Sequence, residues 1–207
     1  MGQDPDASTG LPLRIGLFGG TFDPPHRGHT AVAADVADAL ELDQVLWIPA
    51  NQPPHKPLAD TAPLALRLEM TRAVVGTDSR FKVGGIEAER VGPSYTVETA
   101  RALKEDYPET TLFLIIGTDQ FRQLDVWRNP EELLRLVELV VMDRGGQRGR
   151  DHVPRVAGAE NAHFVPVRKI DISSTDVRVA VNDGQNVSAL IPSAVEEIIL
   201  REGLYRS

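Results

Sequence analysis

Two histidines three residues apart, His26 and His29, close the segment Gly19-Gly-Thr-Phe-Asp-Pro-Pro-His-Arg-Gly-His29. An imidazole can donate a hydrogen bond, accept one, or carry a positive charge near neutral pH, so such a pair suits an anion or a metal ion. The neighbouring residue types favour the anion. Gly19 and Gly20 permit positive φ and a close approach of backbone to ligand, and Pro24 and Pro25 stiffen the turn. Gly28 clears space beside a helix start whose free N–H groups and positive dipole end attract phosphate. A metal site using both histidines is the competing reading, and Gly28 weakens it by loosening the helix that would hold them. The segment is neither a phosphate loop of the Gly-x-x-x-x-Gly-Lys type nor a Gly-x-Gly-x-x-Gly dinucleotide fingerprint. The chain has 5 histidines, and two of them stand in this one turn.

A second cluster, Ile172-Ser-Ser-Thr-Asp-Val-Arg178, offers three hydroxyls and helix-start amides. Arg178 follows one turn later, as a planar cation suited to phosphate oxygens. A capping role explains Ser174 but not the arginine. Four further places carry polar or flat groups: Lys56 in a proline-rich stretch, Ser94-Tyr-Thr96, Gly117-Thr-Asp119, and Trp127. Each has a plainer alternative. Trp127 and Tyr95 fit a core, Lys56 fits a solvated loop, and Asp119 fits a turn.

These groups need elements to hold them. Arg14–Phe18 reads as a buried strand stopped by Gly19-Gly20, and a helix pattern runs from about Gly28 to Leu40. Further strands are expected at 44–48, 81–83, 111–116, 139–142 and 163–166. Helices are expected at 64–75, from Ser94 as N-cap to about 106, around 133–136, at 174–181 and at 193–202, the last two also with a serine in a capping position. Pro49–Pro57 contains four prolines and must be a stiff loop. Residues 143–162, rich in glycine and arginine, read as a mobile loop. Alternating strands and helices imply an α/β fold with a doubly wound parallel sheet. Ligands of such sheets bind beyond the carboxyl ends of the strands. Gly19-Gly20, Pro49–Pro57 and Gly117–Asp119 each follow a strand, so they are expected to share one cleft. With no repeat and no linker, residues 14–207 are expected to form a single domain with a small C-terminal helical part, and 1–13 a disordered tail.

The formal net charge of -8 argues against broad attraction to nucleic acid or to an anionic membrane. Positive groups for an anionic substrate must therefore be concentrated locally. Absence of cysteine removes disulfides and thiolate catalysis. No apolar run approaches the roughly 20 residues needed to span a bilayer, and the acidic start does not resemble a signal peptide. A cytoplasmic location is expected.

Gly20-Thr-Phe-Asp-Pro-x-His-x-Gly-His29 resembles the signature of the bacterial nucleotidyltransferase superfamily with the (T/H)xGH motif, and Ile172–Arg178 is similar to its ISSTxxR element. Pro53-Pro-His-Lys56, Pro93-Ser-Tyr-Thr96, Gly117-Thr-Asp119 with Trp127, and the ending Ile191-Pro…Glu202-Gly-Leu-Tyr205 resemble stretches of the nicotinate-nucleotide adenylyltransferases. The resemblance spans residues 14–205. It departs after Trp127, where many relatives carry a second aromatic and this chain has Arg128.

The resemblance implies transfer of AMP from ATP to nicotinate mononucleotide, with Mg²⁺ carried by the ATP phosphates and no protein metal site. His26, His29, Lys56 and Arg178 are implied as catalytic. ATP is implied to contact Gly19, Gly20, Thr21, Phe22, His26 and His29 in the first motif, Gly117 and Asp119, and Ile172, Ser173, Ser174, Thr175 and Arg178 in the second. The mononucleotide is implied to contact Asn51, His55, Lys56, Ser94, Tyr95, Thr96, Asp119, Trp127 and Arg128. Discrimination of nicotinate from nicotinamide would need N–H donors, and no carboxylate, at one end of the ring. The uncharged stretch Ser94–Thr96 suits that task. A phosphopantetheine-type adenylyltransferase shares the two phosphate motifs but has no use for Pro53–Lys56 or Trp127. A non-catalytic ATP sensor on the same fold is the rival of another class. Monomer and homo-oligomer both stay open.

Overall fold

The computed structural model describes residues 13–52, 61–76, 78–88, 92–143 and 153–206. Six strands form one parallel sheet: β1 (Arg14–Gly20), β2 (Gln44–Pro49), β3 (Phe81–Val83), β4 (Thr111–Gly117), β5 (Glu138–Asp143) and β6 (His163–Pro166). Their spatial order is β3-β2-β1-β4-β5-β6. The chain builds outward from β1 to β3, then returns to lay β4 against the free side of β1. The order therefore reverses between β1 and β4, and this is where a doubly wound sheet opens a crevice.

Successive side chains of a strand point to opposite faces. Phe113 and Ile115 of β4 enter one core, while Leu112, Leu114 and Ile116 enter the other. Burial on both faces explains why β4 reads as an unbroken apolar run. The first core is closed by α1 (Arg27–Ala39), α2 (Leu64–Val75), α6 (Ser174–Asn182) and α7 (Ser193–Glu202). The second is closed by α3 (Thr96–Asp106), α4 (Thr118–Arg122) and α5 (Pro130–Leu136). Gly16 in mid-strand answers a packing need, because a Cβ there would lie 2.8 Å from Ile115 and 2.9 Å from Leu42. Among the described residues no helix is long and apolar enough to cross a membrane.

Several expected details differ. Ser94 does not cap α3; Tyr95 holds that position, and the Ser94 hydroxyl accepts the N–H groups of Asn51 and Gln52. α6 is capped by Ser173, not Ser174, and Pro192 stands at the N-cap of α7. Gly19 and Gly20 do not use positive φ: both belong to β1, and the left-handed residue of the turn is Phe22, with φ 49. The helix α4 and the 3₁₀ turn Leu124–Val126 were not expected. Within the expected loop at 143–162, residues 153–162 are packed, with Val156 and Ala159 buried in the second core. Residues 144–152 and the tail 1–12 lie outside the described residues.

Candidate active site

Beyond the carboxyl ends of β1 and β4 lies a cleft of 740 Å³. It unites the stretches 17–22, 94–97, 114–120 and 126–128 with His29, Ala50 and Ser174. Gly19-Gly20 and Gly117-Thr-Asp119 thus meet at the strand ends as expected, while His55 and Lys56 lie outside the described residues.

One half of the cleft is built on the turn from β1 into α1. A Cβ at Gly19 would meet nothing within 4 Å, so the backbone there faces open space in the cleft. At Gly20 a Cβ would press on the Phe22 ring at 3.0 Å. Phe22 folds under the turn, 5.6 Å from Phe18 and 5.2 Å from Trp47 between ring centres. His26 and His29 stack with centroids 3.7 Å apart and planes 25° apart. They have different roles, however. His29 lines the cleft, whereas His26 is 5% exposed and lies against Gly28, where a Cβ would come within 2.9 Å of its Nδ1. Gly28 therefore makes room for the His26 ring.

The His26 backbone N–H donates to Nδ1 of His29 at 3.2 Å. That bond needs a lone pair on Nδ1, so the neutral His29 ring carries its proton on Nε2. Nε2–H is then a hydrogen-bond donor that needs no positive charge. It stands at the N-terminus of α1, where the dipole also favours an anion.

The turn is held from distant parts of the chain. Arg67 of α2, 1% exposed, donates to the carbonyls of Thr21, Ala50 and Ala62 at 2.9, 2.8 and 3.0 Å. Burial draws its guanidinium below the usual arginine range, and the nearby Asp23 carboxylate offsets part of that. Ser174 Oγ donates to the Pro24 carbonyl at 2.9 Å, across 150 residues of sequence. Arg178 donates through one nitrogen to the Asp23 carbonyl at 2.8 Å and through the other to Thr175 Oγ1 at 3.2 Å. The two sequence motifs are therefore bonded to each other.

Of the second motif only Ser174 lines the cleft; Ile172 packs on the first core, and Ser173, Thr175 and Arg178 flank the turn. Both the N–H and the O–H of Ser173 go to the Asp176 carboxylate, at 2.8 and 2.6 Å, which holds that carboxyl below its usual range. Ser174 and Thr175 keep first-turn amides with no intrahelical acceptor.

The other half of the cleft is made by α3, α4 and the segment after α4. Ser94 joins the start of α3 to the end of β2, because its N–H also donates to the Gln52 carbonyl at 3.0 Å. Asn51 is thus tied to the cleft wall without lining it. Tyr95 and Thr96 line the cleft, and the Arg128 guanidinium lies over the Tyr95 ring at 4.6 Å. Arg128 is also 3.9 Å from the Glu98 carboxylate. Trp127 both lines the cleft and packs on the second core. Asp119 is exposed at the start of α4 and also lines the cleft.

Two lining residues escaped the sequence reading. Glu87 and Thr99 are both buried, with Thr99 Oγ1 donating to Glu87 Oε1 at 3.2 Å. The stretch Ser94–Thr96 is uncharged, yet folding brings a carboxylate to the same cleft. Thr99, one helical turn beyond Tyr95, carried a usable signal; Glu87, before the start of α3, carried none.

The crevice at the strand reversal thus lies between the turn into α1 on one side and Tyr95, Trp127 and Arg128 on the other. Residues 17–180 match the family model described as cytidylyltransferase-like. A probable nicotinate-nucleotide adenylyltransferase of Thermus thermophilus is 41% identical over 194 residues, covering 94% of this chain and 100% of that protein. One from Shouchella clausii is 38% identical over 192 residues, covering 93% and 96%. The fold is shared with a solved Plasmodium falciparum nicotinic acid mononucleotide adenylyltransferase complexed with NaAD, at a TM-score of 0.75 and 17% identity, covering 93% of this chain and 97% of that one. The chain belongs to the nicotinate-nucleotide adenylyltransferase family.

Proposed function

We infer that the protein transfers AMP from ATP to nicotinate mononucleotide, forming nicotinate adenine dinucleotide and pyrophosphate. The observation that carries this reading is the division of one cleft. Open backbone at Gly19, the His29 donor and the α1 N-terminus form one side, and Tyr95, Thr96, Trp127 and Arg128 form the other. The family membership and the names of the relatives support it.

A 5′-phosphate oxygen of the mononucleotide attacks the α-phosphorus of ATP in line. The bond to the bridging oxygen breaks, and its electron pair leaves with pyrophosphate. Such a transfer needs no protein nucleophile; it needs positioning and donors aimed at the phosphoryl oxygens. His29 Nε2–H is the donor for the α-phosphoryl oxygens, and the buried His26 fixes its ring. Arg178 and the Ser174 and Thr175 amides hold the β- and γ-phosphates. Thr21, Gly117 and Asp119 take the nucleoside, Asp119 by accepting ribose hydroxyls. Trp127 stacks on the pyridine ring, and His55 and Lys56 are assigned to the same substrate.

Mg²⁺ enters with its nucleotide. Among the described residues no group of three or more His, Asp or Glu side chains could hold a metal ion. The groups on the phosphate side are N–H and O–H donors, which suit phosphate oxygens rather than a cation. Mg²⁺ is therefore assigned to ATP phosphates and water. A cytoplasmic site of action accords with these substrates.

Pyrophosphate release with nicotinate mononucleotide, nicotinamide mononucleotide and phosphopantetheine tests the reading. The helix-start amides at Tyr95–Thr96 and the Arg128 cation favour a ring carboxylate, each charge-assisted bond being worth roughly 1.5–3 kcal/mol. Two such bonds predict a kcat/KM preference for nicotinate over nicotinamide mononucleotide of at least about 10². Equal values would refute the anion-reading site and leave adenylyl transfer standing. Turnover of phosphopantetheine alone would refute the assigned acceptor.

A further inference from the structure

The C-terminal segment carries a side chain that the mechanism above does not use. α7 is capped by Gly203, and two residues later Tyr205 adopts the left-handed region with φ 62. That conformation is unfavourable for a non-glycine residue, so something must hold it. The bend returns the Tyr205 ring to the first core and sets its hydroxyl 2.6 Å from Asp23 Oδ1, across 182 residues of sequence.

Asp23 is 2% exposed and lies inside the phosphate turn. Its Oδ1 also accepts the Ala62 N–H at 3.1 Å, and its Oδ2 lies 3.9 Å from the Arg178 guanidinium. Burial, together with the bond to Asp23, pushes the Tyr205 phenol well above its usual range, so it stays a donor throughout neutral pH. Of the five N–H donors of Arg178, Asp23 O and Thr175 Oγ1 engage two among the described residues. Asp23 thus presents to the guanidinium a carbonyl oxygen at 2.8 Å and a carboxylate oxygen at 3.9 Å.

We propose that Tyr205 is a positioning residue for the triphosphate, acting through Asp23 to fix the orientation of Arg178. The hydroxyl anchors one carboxylate oxygen, and with it the peptide of Asp23 to which Arg178 is bound. The last turn of the chain thereby completes the phosphate site. This rests on the reading of Arg178 as a triphosphate ligand.

Tyr205→Phe keeps the ring in the core and removes only the hydroxyl. Affinity for Mg²⁺ with a non-transferable ATP analogue, measured by calorimetry, is expected to fall about tenfold, within the range of a lost bond to a charged group. Affinity for the mononucleotide should stay within about twofold. In an Arg178→Ala background the same change should add nothing, because the coupling runs through that side chain. Unchanged ATP affinity in Tyr205→Phe would overturn the proposal. So would equal weakening of both ligands alongside a lowered melting temperature, which is what general loosening produces. If Arg178→Ala weakens ATP binding but Tyr205→Phe adds its full effect on top, the positioning role fails while the Arg178 reading survives. If Arg178→Ala leaves ATP affinity intact, the Arg178 reading fails and this inference falls with it.

Discussion

The two halves of the cleft are held in opposite ways. From Phe22 to His26 every residue is buried. That turn is bonded by Arg67 from α2, by the Ala62 N–H, by Ser174 and Arg178 from α6, and by Tyr205 beyond α7. On the other side, Asp119, Gln120 and Arg128 are exposed, and Val126 at the mouth is 65% exposed. The contacts of α4 and the segment after it are short in sequence: the Gly117 N–H meets the Gln120 side chain, and Val126 and Trp127 donate to the carbonyls just before them. Donors that must stabilise charge in a transition state have to be fixed before the reaction, since reorganising them then would raise the barrier. A surface that recognises a ring and admits a second substrate can close after binding. The contrast between buried clamp and exposed wall accords with the division of labour proposed for the cleft.

The largest expected effect tests the clamped side. His29→Ala removes the Nε2–H donor and the acceptor for the His26 N–H. A fall in kcat of about 10²–10³ is expected, the size of losing one oxyanion-type donor, with the same factor for either mononucleotide. Steady-state kinetics with both acceptors checks this. A kcat within twofold of wild type would remove His29 from the chemistry.

A smaller effect is expected on the exposed wall. Trp127→Ala should lower kcat/KM for nicotinate and nicotinamide mononucleotides alike by roughly 10–100-fold, since aromatic stacking is worth about 1–3 kcal/mol and does not read the ring substituent. ATP affinity should be unchanged. If ATP binding weakened as much as acceptor binding, the proposed division of the cleft would be wrong.

The same contrast governs what could be seen in the sequence. Strands, the long helices and both phosphate motifs were legible, because apolar periodicity and local glycine and histidine spacing are properties of neighbouring residues. Arg67 was not. It shares a buried stripe of α2 with Thr71 and Val74, a pattern that ordinarily implies apolar residues, and its acceptors are carbonyls brought from three other places. Glu87 and Thr99 are hidden for the same reason: a buried polar pair is specified by its partner. α4 is a five-residue helix, too short to show a period. Ser94 was misread because a serine near a helix start suits both a cap and a bond to another strand's end; only the fold decides between them.

Ser94 also supports the smallest and most local prediction. Its hydroxyl is the acceptor for the amides of Asn51 and Gln52, just after β2. In the free protein these amides are therefore expected to be protected from hydrogen exchange. Ser94→Ala deletes that acceptor without touching the uncharged Tyr95–Thr96 amides, and the loss of a bond worth about 1 kcal/mol corresponds to roughly fivefold faster exchange at both positions. Nicotinate mononucleotide is expected to slow exchange across residues 51–56, because Asn51, His55 and Lys56 are assigned to that ligand. In the variant that slowing should persist, since Lys56 and the Tyr95–Thr96 amides remain, while the acceptor KM rises about fivefold and kcat stays near wild type. A change in kcat instead of KM would mean that Ser94 acts on the clamped side, and the boundary between the two halves would have to be moved to include it.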